Sequence, residues 1–229
     1  SKGCLLSCSF CAIPKFRRFT VRPIEKIEKE LEYLVSIKSG IVNFEDDNLF
    51  FNPSWNTNFI SLLKKFNRDY GLNYTAMNGI TAPNLAKIAE EAVDAGFIEF
   101  NLSLVSGSKS TLESIKRPLF LESVREICRK SEGKVDTLVF LILGLPDSSP
   151  QDVLTDIFTL AQLPVRIGAS PLYMLPGIDL FSPLKTPPSR DFMRGSALWD
   201  FGTAFTRNSV VSLWKLVRMI NYIKENAGK

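Results

Sequence analysis

Residues 41–47 read IVNFEDD, an apolar run that turns abruptly acidic. β-Branched and aromatic residues followed at once by carboxylates describe a short buried strand ending in a polar loop. Four more stretches behave alike. LNYTAMNG (72–79) ends at a glycine, FIEFNLSL (97–104) alternates, and VDTLVFLILG (135–144) and VRIGASPLYM (165–174) are strongly apolar. Successive strand starts lie 25 to 38 residues apart, room for one helix each. The helix signals stand in those gaps. Pro23 precedes the face Ile24, Ile27, Leu31 and Leu34. A helix over 55–70 carries Phe59, Leu62, Leu63 and Phe66. A third, started by Asn84 and ended by Gly96, carries Leu85, Ile88, Ala89, Ala92 and Val93. A fourth spans 121–131, and Pro150 opens a fifth with Val153, Leu154, Ile157 and Phe158 on one face. Strand–helix alternation with right-handed crossovers predicts an α/β fold: a parallel sheet curling into a full or partial TIM-like barrel.

In such folds chemistry gathers at the C-terminal ends of the strands. Those ends hold the polar clusters Glu45-Asp46-Asp47-Asn48, Asn78-Gly79, Ser103 to Ser108, and Gly144 to Asp147. Residues 176–208, with four prolines and no steady period, read as a long irregular connection, a cover for the barrel mouth. A last helix over 209–225 places Val210, Trp214 and Val217 on one face.

The 229 residues are 45% hydrophobic and 23% charged, which demands a packed core. A net charge of +4 is too mild to argue for nucleic acid as a partner. The longest aliphatic and aromatic run, Leu138 to Leu143, is far short of a membrane span, and no secretory signal is visible. These features fit a cytoplasmic chain.

The chain has no histidine and four cysteines, three of them within SKGCLLSCSFCAIPKFRRF (1–19). Cys4, Cys8 and Cys11 follow a Cys-x3-Cys-x2-Cys spacing. Clustered cysteines of this kind fit metal binding in a reducing compartment rather than a disulfide framework. Structural zinc wants four closed ligands, and the fourth here would be Cys128 or a carboxylate. Cys128 lies on the 121–131 helix beside Val124 and Ile127, a core position. Three ligands on a cubane iron–sulfur cluster leave one iron open for substrate. Both readings stand on spacing alone.

The loop resembles that of the radical S-adenosylmethionine (SAM) superfamily. FEDDNLF, NGI (78–80), LSLVSGSKSTLESIKRP, ILGLPD and PLYMLPGIDLF resemble the family's strand-end motifs in order, over about residues 1–182. The combination is most like the subgroup that carries a cobalamin-binding domain. The resemblance implies a partial (β/α)6-type barrel over 1–182. Residues 183–229, the irregular segment plus the terminal helix, form part of the same domain or its extension. It implies a [4Fe–4S] cluster on Cys4, Cys8 and Cys11, and SAM bound near Phe10, Asp46, Asp47, Asn48, Asn78, Ser103, Ser106 and Arg117. Reductive cleavage of SAM would yield a 5′-deoxyadenosyl radical acting on a small-molecule substrate, in methyl transfer or rearrangement with cobalamin. An electron donor such as flavodoxin or ferredoxin is implied, and no membrane.

The same residues also have ordinary readings. Phe10 is equally a core aromatic, Asp46 and Asp47 caps or solvated acids, Asn78 a turn residue, Ser103 and Ser106 loop hydroxyls, and Arg117 a surface charge. Val105 stands where the family pattern often has Glu, Ser148-Ser149 where it has Glu-Thr, and Gly177-Ile178 where it has Gly-Thr. These departures keep open an alternative: an iron–sulfur electron-transfer or scaffold module without catalysis. The apolar strands supply a core without metal, so an iron-free chain is expected to rearrange in the loop 3–20. The barrel's first strand is expected upstream of Ser1 and is largely missing from the chain, together with any cobalamin-binding domain.

Overall fold

The computed structural model describes residues 1–131, 133–173, 178, 180 and 204–227. Most of the expected cover over 176–208, most of the sixth strand-end motif and the Gly177 substitution lie outside the described residues. The chain forms two compact units. The first comprises Ser1–Leu5, Ile13–Ser103 and Phe120–Leu138; the second comprises Leu6–Ala12, Leu104–Leu119 and Val139–Lys229.

In the first unit a one-turn helix α1 (Ile13–Phe16) precedes α2 (Ile24–Ser36), β1 (Ile41–Asn43), α3 (Pro53–Tyr70) and β2 (Asn73–Thr75). β1 and β2 are parallel, with Val42 opposite Tyr74. Parallel bridges Tyr74–Phe97 and Ile80–Leu102 carry the ladder on to β3 (Glu99–Val105). The helix α3 starts where Asn52 accepts the Trp55 amide at 3.1 Å, with Pro53 next, and stops at Gly71 in the left-handed region. Its buried face, Phe59, Leu63 and Phe66, packs an aromatic core. Phe44, Tyr74 and Phe97 lie within 5.8–6.3 Å of one another, centroid to centroid. The Tyr74 hydroxyl donates to the Leu63 carbonyl at 3.0 Å, so even this buried polar atom is satisfied.

The third expected helix is two: α4 (Ala82–Ala86) and α5 (Ala89–Asp94). Ile88, at φ −129°, breaks them. Asn84 does not start α4. Thr81 and Pro83 lie at its N-terminus, and Asn84 Nδ2 donates to the Phe50 carbonyl at 2.7 Å. α7 (Leu121–Ser131) buries Val124, Ile127 and Cys128, as its periodicity predicts.

β3 and β4 (Asp136–Leu143) run out of the first unit into the second, and β5 (Arg166–Pro171) completes a sheet ordered β3-β4-β5. The second unit also holds α6 (Lys109–Ser114), α8 (Pro150–Ala161) and α9 (Arg207–Asn226). Val105, Leu112, Ile115, Leu145 and Leu172 form its apolar cluster, with Phe10 packed against it. Two sequence expectations fail on these helices. Phe158 is 55% exposed, and α8 instead buries Val153, Asp156, Ile157 and Leu160. Trp214 is 38% exposed beneath the Arg218 guanidinium, 4.8 Å from its ring centroid, and Leu213 takes its place in the core. α9 sits on β5 through Asn221, which accepts the Ile167 amide at 3.0 Å and donates to the Ile167 carbonyl at 2.8 Å. A side-chain amide thus supplies the ladder bonds that a neighbouring strand would give.

Candidate functional site

The cysteine loop passes from the first unit to the second at Leu5–Leu6 and back at Ala12–Ile13. No disulfide joins its cysteines. Cys8 is buried, and Cys4 and Cys11 are half-buried. Among the described residues no three His, Cys, Asp or Glu side chains form a ready metal cage.

The first unit supplies the arm that enters the loop. Gly3 adopts φ +82° against the Arg18–Phe19 backbone, where a Cβ would meet main-chain atoms at 2.9 Å. Lys2 and Thr20 exchange backbone hydrogen bonds at 2.9 and 2.8 Å. Both expected acids take part. Asp47 Oδ2 accepts the Gly3 amide at 2.8 Å and the Arg17 guanidinium at 3.3 Å. Asp46 accepts the Ser1 hydroxyl at 2.8 Å, and that hydroxyl also reaches the Asn48 carbonyl at 2.9 Å. The acidic end of β1 therefore fixes where the chain approaches Cys4. Asn48 is buried, its side-chain oxygen accepting the Thr81 hydroxyl at 3.0 Å. Asn78 is exposed and donates to the Glu45 carbonyl at 3.0 Å. Gly79, at φ +91°, passes close to Ser103, whose Cβ would lie 3.2 Å from any Cβ added there. A cavity of about 330 Å³ opens beside the end of β1, lined by Phe44, Glu45 and Asp46 with Ile27, Leu31 and Trp55.

The second unit holds Cys8, Phe10 and Cys11. The Cys11 amide donates to the Cys8 carbonyl at 3.1 Å, a tight turn between two prospective ligands. The turn after α6 grips this segment twice. Ser9 donates its amide to the Ile115 carbonyl at 3.0 Å, and Arg117 Nη1 lies 3.5 Å from Cys8 Sγ. Arg117 is buried rather than a surface charge. Lys116 between them is left-handed at φ 55°, the reversal that swings Arg117 inward.

Ser106, also expected at the site, is buried and donates to Asp156 Oδ2 at 3.0 Å. The Gly107 amide donates to the same oxygen at 2.8 Å. Burial pushes the Asp156 carboxyl above its ordinary value, while the Gly107 and Ser106 hydrogen bonds oppose that shift. Sequence reading missed Asp156. The available signal was an acidic residue at a core position of α8, three residues after Val153. Just before this loop, Val105 has φ 76°. A β-branched residue there is a true outlier, costing about 1–3 kcal/mol. Ser149, one of the departures from the family pattern, caps α8 by accepting the Asp152 amide at 3.1 Å.

The donor chemistry fits a cubane cluster with one open iron. Three thiols lie in eight residues, one faces a guanidinium, and the buried Ser9 Oγ has no hydrogen-bond partner among the described residues. A sulfide acceptor would satisfy that hydroxyl. The thiols need not be gathered beforehand, since metal binding itself organises such loops.

The family model described as the radical SAM superfamily matches residues 1–160. The chain belongs to this superfamily. A radical SAM domain implies a [4Fe–4S] cluster and SAM, the cofactors its cysteine loop predicts. Among similar proteins are ribosomal protein uS12 methylthiotransferases RimO. That of Aliarcobacter butzleri is 27% identical over 165 residues, covering 66% of this chain and 36% of the relative. That of Prosthecochloris aestuarii is 50% identical over 42 residues, 18% of this chain and 9% of the relative. The chain thus spans little more than a third of the length of the Aliarcobacter butzleri relative. The radical SAM methyltransferase TsrM from Kitasatospora setae, solved with cobalamin and a [4Fe–4S] cluster, superposes with a TM-score of 0.66 at 18% identity, over 78% of this chain and 37% of that one. Coproporphyrinogen III oxidase HemN from Escherichia coli gives 0.63 at 14% identity, over 98% and 51%. These structures establish the barrel-type fold of the radical SAM enzymes for this chain. Among the described residues no helix is long and apolar enough to cross a membrane.

Proposed function

We propose that this chain is the catalytic barrel of a radical SAM enzyme, with Cys4, Cys8 and Cys11 as the cluster ligands. The observation that carries the reading is the cysteine loop within a family match over residues 1–160. A cluster held by Cys4, Cys8 and Cys11 would supply the one-electron reduction that cleaves SAM to methionine and a 5′-deoxyadenosyl radical. The chain's residues bind, orient and shield, as protein does around a cofactor that carries the hard chemistry.

Asp46 and Asp47 are proposed to set the path of the chain into Cys4 and to face the SAM amino group, with Asn48 and Asn78 holding the neighbouring strand ends. Phe10, packed on the Val105–Leu145–Leu172 cluster, offers an apolar face to the adenine. Ser103 and Ser106 belong to the β3 end of the site, Ser106 by keeping its loop against Asp156. Arg117 is the cation of the site and a donor for the SAM carboxylate.

Group transfer to a small-molecule or macromolecular acceptor is the proposed reaction class, in keeping with the names of RimO and TsrM. Cobalamin is the proposed second cofactor of the whole protein, on the TsrM likeness. A flavodoxin or ferredoxin is the proposed electron donor, in the reducing cytoplasm. The test is SAM cleavage: anaerobically reconstituted, dithionite-reduced protein is expected to release 5′-deoxyadenosine. Full cluster loading with no 5′-deoxyadenosine would favour the scaffold reading instead.

A further inference from the structure

We infer that Arg117 donates a hydrogen bond to the sulfur of the ligand Cys8 and thereby raises the reduction potential of the cluster. The inference rests on the proposed cluster site and adds an assignment to it. Its basis is a local construction, not one distance. The turn that closes α6 is left-handed at Lys116, and the Arg117 amide is tied to the Leu112 carbonyl at 2.8 Å. The adjacent Ile115 carbonyl takes the Ser9 amide at 3.0 Å. Backbone on both sides therefore fixes where the Arg117 side chain leaves the main chain relative to the loop. Arg117 Nη1 then lies 3.5 Å from Cys8 Sγ, within reach of the large sulfur atom, and both residues are buried.

A cubane on three thiolates carries net negative charge, and reduction adds one more. A buried cation close to a ligand sulfur stabilises the reduced form more than the oxidised one. Hydrogen bonds to cluster sulfurs act in the same direction and are among the levers that set such potentials. Guanidinium suits this place better than ammonium, because its fixed fork keeps one N–H on sulfur while other donors serve elsewhere.

The experiment is an EPR-monitored redox titration of the reconstituted chain without SAM, comparing wild type, Arg117→Lys and Arg117→Gln. Arg117→Gln, too short to reach Sγ and uncharged, is expected to lower the midpoint potential clearly. Arg117→Lys, which keeps the charge and loses the fork, should fall between. Equal potentials in all three would overturn the inference, and weaker SAM binding on top of equal potentials would confine Arg117 to the SAM carboxylate. If Arg117→Gln loads less iron than wild type, the Lys variant decides: a lowered potential supports the inference and an unchanged one sinks it. A wild-type chain that assembles no cluster would remove the enzyme reading itself, and this inference with it.

Discussion

Asp156 on α8 and Gly107 after β3 fit together with no space to spare. Asp156 Oδ2 accepts the Gly107 amide at 2.8 Å, and a Cβ added to Gly107 would be driven into the other carboxylate oxygen. Gly107 has ordinary backbone angles, so its constraint is steric rather than conformational. Gly107→Ala is therefore expected to destabilise the fold by about 1–3 kcal/mol, as overpacking does. Gly40→Ala, with nothing within 4 Å of its added Cβ, should stay within about 0.5 kcal/mol of wild type. Urea unfolding of the two variants checks the contrast.

The same carboxylate predicts a pH dependence. Burial raises the Asp156 pKa in the folded chain. A raised folded value means that the native state holds the proton more tightly than the unfolded state. The stability linked to this group is thus fully present below the unfolded carboxylate value, about 3.9, and is lost as pH rises through the folded value. Asp156→Asn cannot titrate. Its stability relative to wild type should improve as pH rises from 4 towards neutrality, as measured by urea midpoints at each pH. A difference that stays flat would contradict the assignment.

Asn221→Ala should cost about 1–3 kcal/mol, because it leaves the Ile167 amide and carbonyl without their α9 partner. Hydrogen exchange at Ile167 should accelerate with it. Exchange that is unchanged would mean the edge of β5 is protected by something else.

Each of Cys4→Ala, Cys8→Ala and Cys11→Ala is expected to abolish cluster assembly, while Cys128→Ala retains it. Cys128 is buried on α7 with Val124 and Ile127, away from any ligand role. Iron and sulfide analysis after anaerobic reconstitution separates the two classes. Iron loss from a folded Cys128 variant would overturn the ligand assignment.

Local chemistry written in short stretches was legible in the sequence. VDTLVFLILG forms β4 because its own residues favour buried β structure, and α7 spans 121–131 as its apolar spacing requires; IVNFEDD yields only the short strand Ile41–Asn43, with Val42 buried and Ile41 exposed. The cysteine loop announced its chemistry through spacing and composition. What escaped depends on partners distant along the chain. Ile88 looks helical by periodicity yet breaks α4 from α5. Asn84, a good cap by type, spends its amide on the Phe50 carbonyl. Phe158 and Trp214 lie near helical core positions, but Asp156 and Leu213 fill those places. Asp156 and Asn221 work through bonds 49 to 54 residues away in sequence, which no local pattern encodes. Val105 gives no sign in its residue type that it is left-handed.

EPR spectroscopy of the anaerobically reconstituted, reduced chain with and without SAM tests the cluster site directly. About four irons per chain are expected. The reduced-cluster signal is expected to change on adding SAM, because one iron lacks a protein ligand. A colourless protein carrying stoichiometric zinc, or a cluster signal indifferent to saturating SAM, would contradict the cluster assignment.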